Sequence, residues 1–169
     1  AAYRVAPTLY RPTLPDLRYV SICDVNAAVG EATARRYGYE RSDTDWRAIA
    51  EDPDIQVVSV VIANSLHLEV VKGLLKAGKH VLCEKPLANT LAEAERMAEA
   101  ARAAQERGQI AMVGFTYRRV PAVLLARQLV EQGRIGRVRH VRAQHLQDWI
   151  ADPEAPLSWR LDREKAGSG

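Results

Sequence analysis

Short apolar runs alternate along this chain with stretches of helical spacing. Residues 17–24 (LRYVSICD) form a β-rich run closed by an acid. Residues 26–37 read as a helix ended by Gly38, and residues 45–50 as one or two turns stopped by Asp52-Pro53. Residues 55–63 (IQVVSVVIA) are almost continuous Val and Ile, the pattern of a parallel strand buried on both faces. A helix over 66–77 ends at Gly78, and 80–84 is a third strand.

The clearest helix spans 90–107. Thr90 and Glu93 have the spacing of a capping box. Leu91, Ala94, Met97, Ala98, Ala101 and Ala104 recur at helical intervals, and Gly108 ends the run. A fourth strand follows at 110–115, then a helix at 122–132 and a turn with Gly133 and Gly136. Residues 137–149 hold several Val among His140, Arg142 and Trp149, and are read as a long strand. Trp46 is expected to pack its short helix on the sheet.

The β-α-β-α order predicts an α/β fold with a doubly wound parallel sheet, since parallel strands need helical crossovers. The rhythm is lost from Arg137 onward, which places a domain boundary near residues 119–121. The expected division is a partial dinucleotide-binding domain over 1–119 and the start of an α+β substrate domain over 120–169. The chain opens without Met inside a helical pattern and closes on Gly-Ser-Gly. Both ends look cut, so an internal segment of a longer protein is expected.

The composition removes several function classes. Hydrophobic residues make up 47% and charged residues 27% of 169, a globular rather than a disordered profile. No apolar stretch approaches the roughly 20 residues of a membrane-spanning helix, so no membrane partner is expected. The net charge of +3 is too small to argue for nucleic acid. The basic run Arg134, Arg137, Arg139, Arg142 lacks interleaved aromatics, so no nucleic-acid partner is expected. Cys23 and Cys83 sit in separate apolar runs and read as buried thiols of a reducing, cytoplasmic compartment. His140 and His145 are five apart on the expected strand and face opposite ways, so no metal site is read.

In an open parallel sheet, ligands bind beyond the carboxyl ends of the strands. Polar residues follow each expected strand there: Asp24-Val25-Asn26, Asn64-Ser65-Leu66-His67, Glu84-Lys85-Pro86 and Thr116-Tyr117-Arg118-Arg119. An acid in the position of Asp24 can accept hydrogen bonds from adenosine ribose hydroxyls and repel a 2′-phosphate, favouring NAD over NADP. It can equally cap the helix that starts at Asn26. Pro86 holds Lys85 extended. A Lys desolvated at the mouth of a sheet could exchange a proton near neutral pH; a surface Lys paired with Glu84 is the competing reading.

The stretch HVLCEKPLA resembles the Glu-Lys-Pro motif of the glucose-fructose oxidoreductase/inositol dehydrogenase family of NAD(P)-dependent sugar and polyol oxidoreductases. VGFTYRR, LQDWIADPEAPLSWRLD and EKAGSG resemble the same family, so the likeness covers nearly the whole chain. The resemblance implies roles residue by residue. Lys85 matches the lysine that contacts the reacting hydroxyl and assists proton transfer. Glu84 matches the residue beside the nicotinamide ribose. Ala63, Asn64, Leu66 and His67 match the loop along the dinucleotide, although Ile62-Ala63-Asn64 stands where the family more often has Thr-Pro-Asn. Tyr117 and Arg118 match positions near nicotinamide and substrate, and His145 and Gln147 match positions facing substrate. Trp159 and Arg160 match a pair near the cofactor.

The resemblance further implies a Gly-rich phosphate loop and first strand before Ala1, and an Asp-x-x-x-His pair after Gly169. Without the central strand, residues 17–24 would have no ladder to 55–63, and this segment expressed alone is expected to be unfolded or aggregated. The function implied is an NAD(P)-dependent dehydrogenase of a sugar, inositol or related polyol, homo-oligomeric through its second domain. The alternative is a non-catalytic dinucleotide-binding sensor or scaffold.

Overall fold

The computed structural model describes residues 2–9, 15–148, 151–156, 158 and 161–167. Helix α1 (Ala2–Leu9) opens the chain. Strand β1 (Ser21–Cys23), helix α2 (Ala27–Tyr37), strand β2 (Arg41–Asp43) and helix α3 (Trp46–Glu51) follow. Then come β3 (Val57–Val60), α4 (His67–Lys76), β4 (His80–Cys83), α5 (Leu91–Gln105) and β5 (Ala111–Val113). Helices α6 (Pro121–Glu131) and α7 (Arg163–Ala166) lie beyond them.

Every strand pair is parallel, as the α/β alternation requires. The strands form a two-stranded sheet, β1-β2, and a three-stranded sheet, β3-β4-β5. Among the described residues no ladder joins β1 to β3, the break the sequence leads one to expect. Tyr3 of α1 spans the gap: its hydroxyl hydrogen-bonds the Ser59 hydroxyl of β3. Its carbonyl accepts from the Tyr19 hydroxyl, ahead of β1, at 2.9 Å.

The helix boundaries follow local chemistry. The Asn26 side chain caps α2 by accepting from the Val29 N–H, and Gly38 closes the helix at φ 69°, a left-handed conformation that costs glycine nothing. At α5 the Thr90 hydroxyl accepts from the Glu93 N–H at 3.2 Å, and the Glu93 carboxylate accepts from the Thr90 N–H at 3.0 Å. The expected capping box is therefore closed in both directions.

The core lies between the β3-β4-β5 sheet and helices α4 and α5. Leu74 and Leu75 of α4, Val81 and Cys83 of β4, and Met97 and Ala104 of α5 are all buried. Each large apolar side chain removed from water contributes roughly 1.5–3 kcal/mol. Burial, reinforced by the charge of Glu84, pushes the Cys83 thiol up to about 11. Cys83 thus stays protonated and serves as a core hydrophobe, as its apolar run implies.

Two expectations need correction, and one strand, β2, was not expected. Residues 137–148 are not a strand; they are irregular and exposed, with Val141 and Leu146 largely in solvent. Among the described residues no strand lies alongside them, and an apolar alternation without a partner has nowhere to place its ladder hydrogen bonds. Trp149, the end of that expected strand, lies outside the described residues. The run 55–63 is not buried on both faces: Val57 and Val61, on the face opposite the buried Val60, are 58% and 70% exposed. Helix α3 packs on β1 and β2, as expected of the short helix that carries Trp46, and also on α4, where the Trp46 ring fills the notch left by the missing side chain of Gly73. Finally, β2 has no apolar signature. Its Arg-Ser-Asp is an edge strand whose Arg41 pairs with Asp43 and Asp52 at 2.9 and 2.7 Å, and charged residues are how such edges are protected.

Candidate active site at the carboxyl edge of the sheet

The register of the three-stranded sheet places its strand ends level. Val60 of β3 pairs with Cys83 of β4, which pairs with Val113 of β5. The chain leaves all three strands at one edge. Two further hydrogen bonds tie the exits: the Glu84 N–H donates to Val60 O at 2.9 Å, and the Gly114 N–H donates to Cys83 O at 2.7 Å. Asn64, Glu84-Lys85 and Thr116-Tyr117 are thereby delivered side by side. Asp24 leaves β1 in the neighbouring sheet.

Lys85 is exposed, and its ammonium makes no ion pair with Glu84. The competing reading of a surface Lys–Glu pair therefore fails, and so does the expectation that the described residues desolvate this lysine. The half-buried Glu84 carboxylate has other neighbours. Its Oε2 accepts from the Lys85 N–H at 3.2 Å. Its oxygens lie 3.1 and 3.2 Å from where a Cβ on Gly114 would stand. Gly114 is thus a site residue that sequence reasoning missed; a glycine directly after a strand was its only signal. The peptide bond between Lys85 and Pro86 is cis.

The loop after β3 is a single 3₁₀ turn over Asn64–Leu66, entered from Ala63 in extended conformation. Leu66 is half in solvent, whereas Asn64 and His67 are buried. The His67 ring has no exposed surface and faces the carbonyls of Ile62, Pro86 and Leu87 at 3.2, 3.0 and 3.3 Å. Asn64 Nδ2 donates to Ala166 O at 3.0 Å, which draws α7 onto this loop. Asn89 Nδ2 makes two long hydrogen bonds, to Glu164 O and Lys165 O at 3.5 and 3.4 Å. Asn89 Oδ1 is buried and unpaired among the described residues. Asp162 caps α7 by accepting from the Glu164 N–H. That bond and the Lys165 ammonium, the larger influence, hold its carboxyl below the usual carboxylate range. The docking of α7 through Asn64 and Asn89 has no signature in the sequence, because the partners are about 75 to 102 residues apart.

Tyr117 and Arg118 lie on a 3₁₀ turn, Thr116–Arg119. The Arg118 guanidinium sits over the Phe115 ring at 5.0 Å. His145, although not on a strand, meets Tyr117 edge-on with ring centroids 5.7 Å apart. Gln147 is exposed on the same irregular segment. Trp159 and Arg160 lie outside the described residues. No group of three or more potential metal ligands exists among the described residues, and no described helix is long and apolar enough to cross a membrane.

Asp24 turns one of its carboxylate oxygens to the start of α2 and leaves the other open. Its Oδ1 accepts from the Asn26 N–H at 2.9 Å, closing the turn into α2. Its Oδ2 has no hydrogen-bond partner among the described residues, leaving one carboxylate oxygen for a ligand hydroxyl. A dinucleotide therefore fits the donor and acceptor set on these strand exits, with a free carboxylate oxygen at β1 and polar groups along the β3-β4-β5 edge.

The family described as "Oxidoreductase family, NAD-binding Rossmann fold" matches residues 3–115. The chain belongs to this family. A GFO/IDH/MocA C-terminal domain matches residues 123–169. Among curated proteins the chain is similar to levoglucosan dehydrogenase of Pseudarthrobacter phenanthrenivorans, 45% identical over 99% of this chain and 42% of that protein. Among solved structures it superposes on an oxidoreductase domain protein from Kribbella flavida, 57% identical with TM-score 0.91, covering 99% of this chain and 44% of that one. It also superposes on levoglucosan dehydrogenase in complex with NADH and levoglucosan, at 44% identity and TM-score 0.90, covering 99% and 45%. The chain thus spans less than half the length of these relatives.

Proposed function

We propose that the full-length protein carrying this chain is an NAD-dependent dehydrogenase of a sugar, inositol or related polyol. The level exit of β3, β4 and β5 carries this reading, since it sets Asn64, Glu84-Lys85 and Tyr117 along one edge. Family membership and the likeness to levoglucosan dehydrogenase support it.

Asp24 binds the adenosine ribose through its open carboxylate oxygen and disfavours a 2′-phosphate. Ala63, Asn64, Leu66 and His67 form the loop along the dinucleotide, with Leu66 exposed for direct contact and the enclosed His67 ring supporting the loop from behind without touching the cofactor. Glu84, steadied by the Lys85 N–H and the glycine at 114, serves the nicotinamide ribose. Trp159 and Arg160 complete the cofactor side. Tyr117, Arg118, His145 and Gln147 contact the substrate and set its choice. NAD bound there supplies the two-electron redox step. In the oxidation direction, Lys85 takes the proton of the substrate hydroxyl as that carbon loses its hydride; in reduction it returns the proton.

The dinucleotide domain ends at residue 119 and the substrate domain begins at 120; family matches ending at 115 and resuming at 123 support the division. The enzyme is a homo-oligomer through the second domain and works in the cytoplasm, where its two free thiols persist.

The test is Lys85→Met in the full-length enzyme with a panel of sugars and polyols that includes levoglucosan, read by NADH absorbance. Loss of a general acid–base group lowers kcat by roughly 10²–10⁴-fold, with NAD affinity retained. A variant within about twofold of wild type overturns the assignment.

A further inference from the structure

His67 has a hydrogen-bonding problem that its position makes informative. It has no exposed surface. Among the described residues both ring nitrogens face backbone carbonyls and nothing else: Nδ1 lies 3.0 Å from Pro86 O and 3.3 Å from Leu87 O, and Nε2 lies 3.2 Å from Ile62 O. All three are acceptors. A carbonyl can be satisfied only by an N–H, so the question is which ring nitrogen must carry one. Two carbonyl dipoles converge on Nδ1 and one on Nε2, and the Nδ1 contact is shorter. The proton therefore belongs on Nδ1.

That assignment has a direction. Ile62 lies on the chain leaving β3, one residue ahead of the loop with Ala63 and Asn64. Pro86 is the residue after Lys85. A ring fully enclosed between them touches no ligand directly; it acts by holding backbone. Glu84 and Lys85 are anchored on the upstream side by the Glu84 N–H to Val60 O bond at 2.9 Å. The His67 ring supplies the matching anchor downstream.

We propose that His67 is a positioning residue for Lys85: its Nδ1–H holds the Pro86 carbonyl and so sets the direction in which the lysine side chain leaves the sheet edge. This rests on the reading of Lys85 as the proton-transfer group. The lysine is exposed and makes no ion pair among the described residues, so its backbone is what aims it. A misplacement of about 1 Å at a reacting group costs on the order of 10²-fold in rate.

The experiment uses the full-length enzyme with NAD and levoglucosan, and three variants. Asn places an amide N–H near the position of Nδ1; Gln reaches instead toward that of Nε2; Phe keeps the ring volume without a donor. His67→Gln and His67→Phe are expected to lower kcat by roughly 10- to 100-fold, while the NAD dissociation constant changes less than about twofold. His67→Asn is expected to restore kcat to within about threefold of wild type. In a Lys85→Met background, His67→Gln should add no further loss, because the group it positions is gone. Nitrogen-15 spectra of histidine-labelled protein, with His67→Asn identifying the resonance, should show Nδ1 protonated.

Three results overturn the proposal: a ring bare at Nδ1, equal losses in the Asn and Gln variants, or a full additional loss in the Lys85→Met background. A loss of NAD affinity equal to the loss of kcat would instead make His67 part of the cofactor site. If Lys85→Met itself leaves kcat unchanged, the proton-transfer reading fails first and takes this proposal with it.

Discussion

The imidazole of His145 stands edge-on to the phenol ring of Tyr117, with centroids 5.7 Å apart and planes 84° to one another. The two residues lie on either side of α6, one on the turn after β5 and one on the irregular segment beyond the helix. Their contact brings together two of the four positions expected to face substrate.

Edge-to-face aromatic pairs contribute about 0.5–1.5 kcal/mol beyond their buried area. His145→Ala in the full-length enzyme is therefore expected to change the substrate KM by roughly 2- to 10-fold or reorder the substrate panel. NAD affinity should stay within about twofold of wild type. Steady-state kinetics with each substrate varied in turn measures both; a fall in NAD affinity alone would remove His145 from the substrate side.

The two roles proposed for Asp24 fall on different carboxylate oxygens. Asp24→Asn retains an oxygen for the Asn26 N–H and loses the charge. It should leave the melting temperature unchanged, weaken NAD by roughly the 1.5–3 kcal/mol of a charged hydrogen bond, and narrow the gap to NADP. Calorimetric titration of both cofactors decides it. A wild-type enzyme that already prefers NADP contradicts the role given to this carboxylate.

Gly114 leaves room for the Glu84 carboxylate, which would lie 3.1–3.2 Å from an added Cβ. Gly114→Ala is expected to displace that carboxylate by a few tenths of an ångström. The loss in NAD affinity should be measurable, at most about the 1.5–3 kcal/mol of a charged hydrogen bond, with little change in melting temperature. Unaltered NAD binding would mean that Glu84 does not contact the cofactor.

Acid should destabilise the first half of the chain through its arginine-paired carboxylates. The Arg41 guanidinium beside Asp52 and the Arg18 guanidinium beside Glu40 hold these carboxyls below their usual range. A carboxyl whose folded-state pKa is depressed contributes stability above its unfolded pKa, near 4, and loses it as pH falls through the folded value. Melting temperature should therefore drop as pH falls below about 4. Asp52→Asn should lower the melting temperature at pH 7 and reduce the size of the acid drop. Equal pH profiles for wild type and variant would exclude Asp52 as a contributor. Because these pairs are exposed, added salt should shrink the difference.

What could be read without coordinates follows a simple physical division. Helix ends are set by groups three or four residues apart, so Asn26, Gly38, Thr90 and Glu93 announced α2 and α5. The apolar runs of β3 and β4, alternating with helical segments, announced a parallel sheet, although Val57 and Val61 remain in solvent. The motif around Glu84-Lys85-Pro86, placed at a strand end, pointed to the sheet edge that carries the candidate site. Pairings between distant segments could not be read in the same way. β2 is held by Arg41 bridging Asp43 and Asp52, and its charged tripeptide carries no strand pattern. The segment 137–148 carries such a pattern and forms no strand, because a ladder needs a neighbour as well as a sequence. The ring of His67 clamped between Ile62 and Pro86, the docking of α7 on Asn64, and the hollow at Gly114 depend on groups brought together by packing. Local sequence chemistry determined which residues end each strand; tertiary register decided which of those ends stand beside one another, because hydrogen-bonded ladders align positions that the chain keeps far apart.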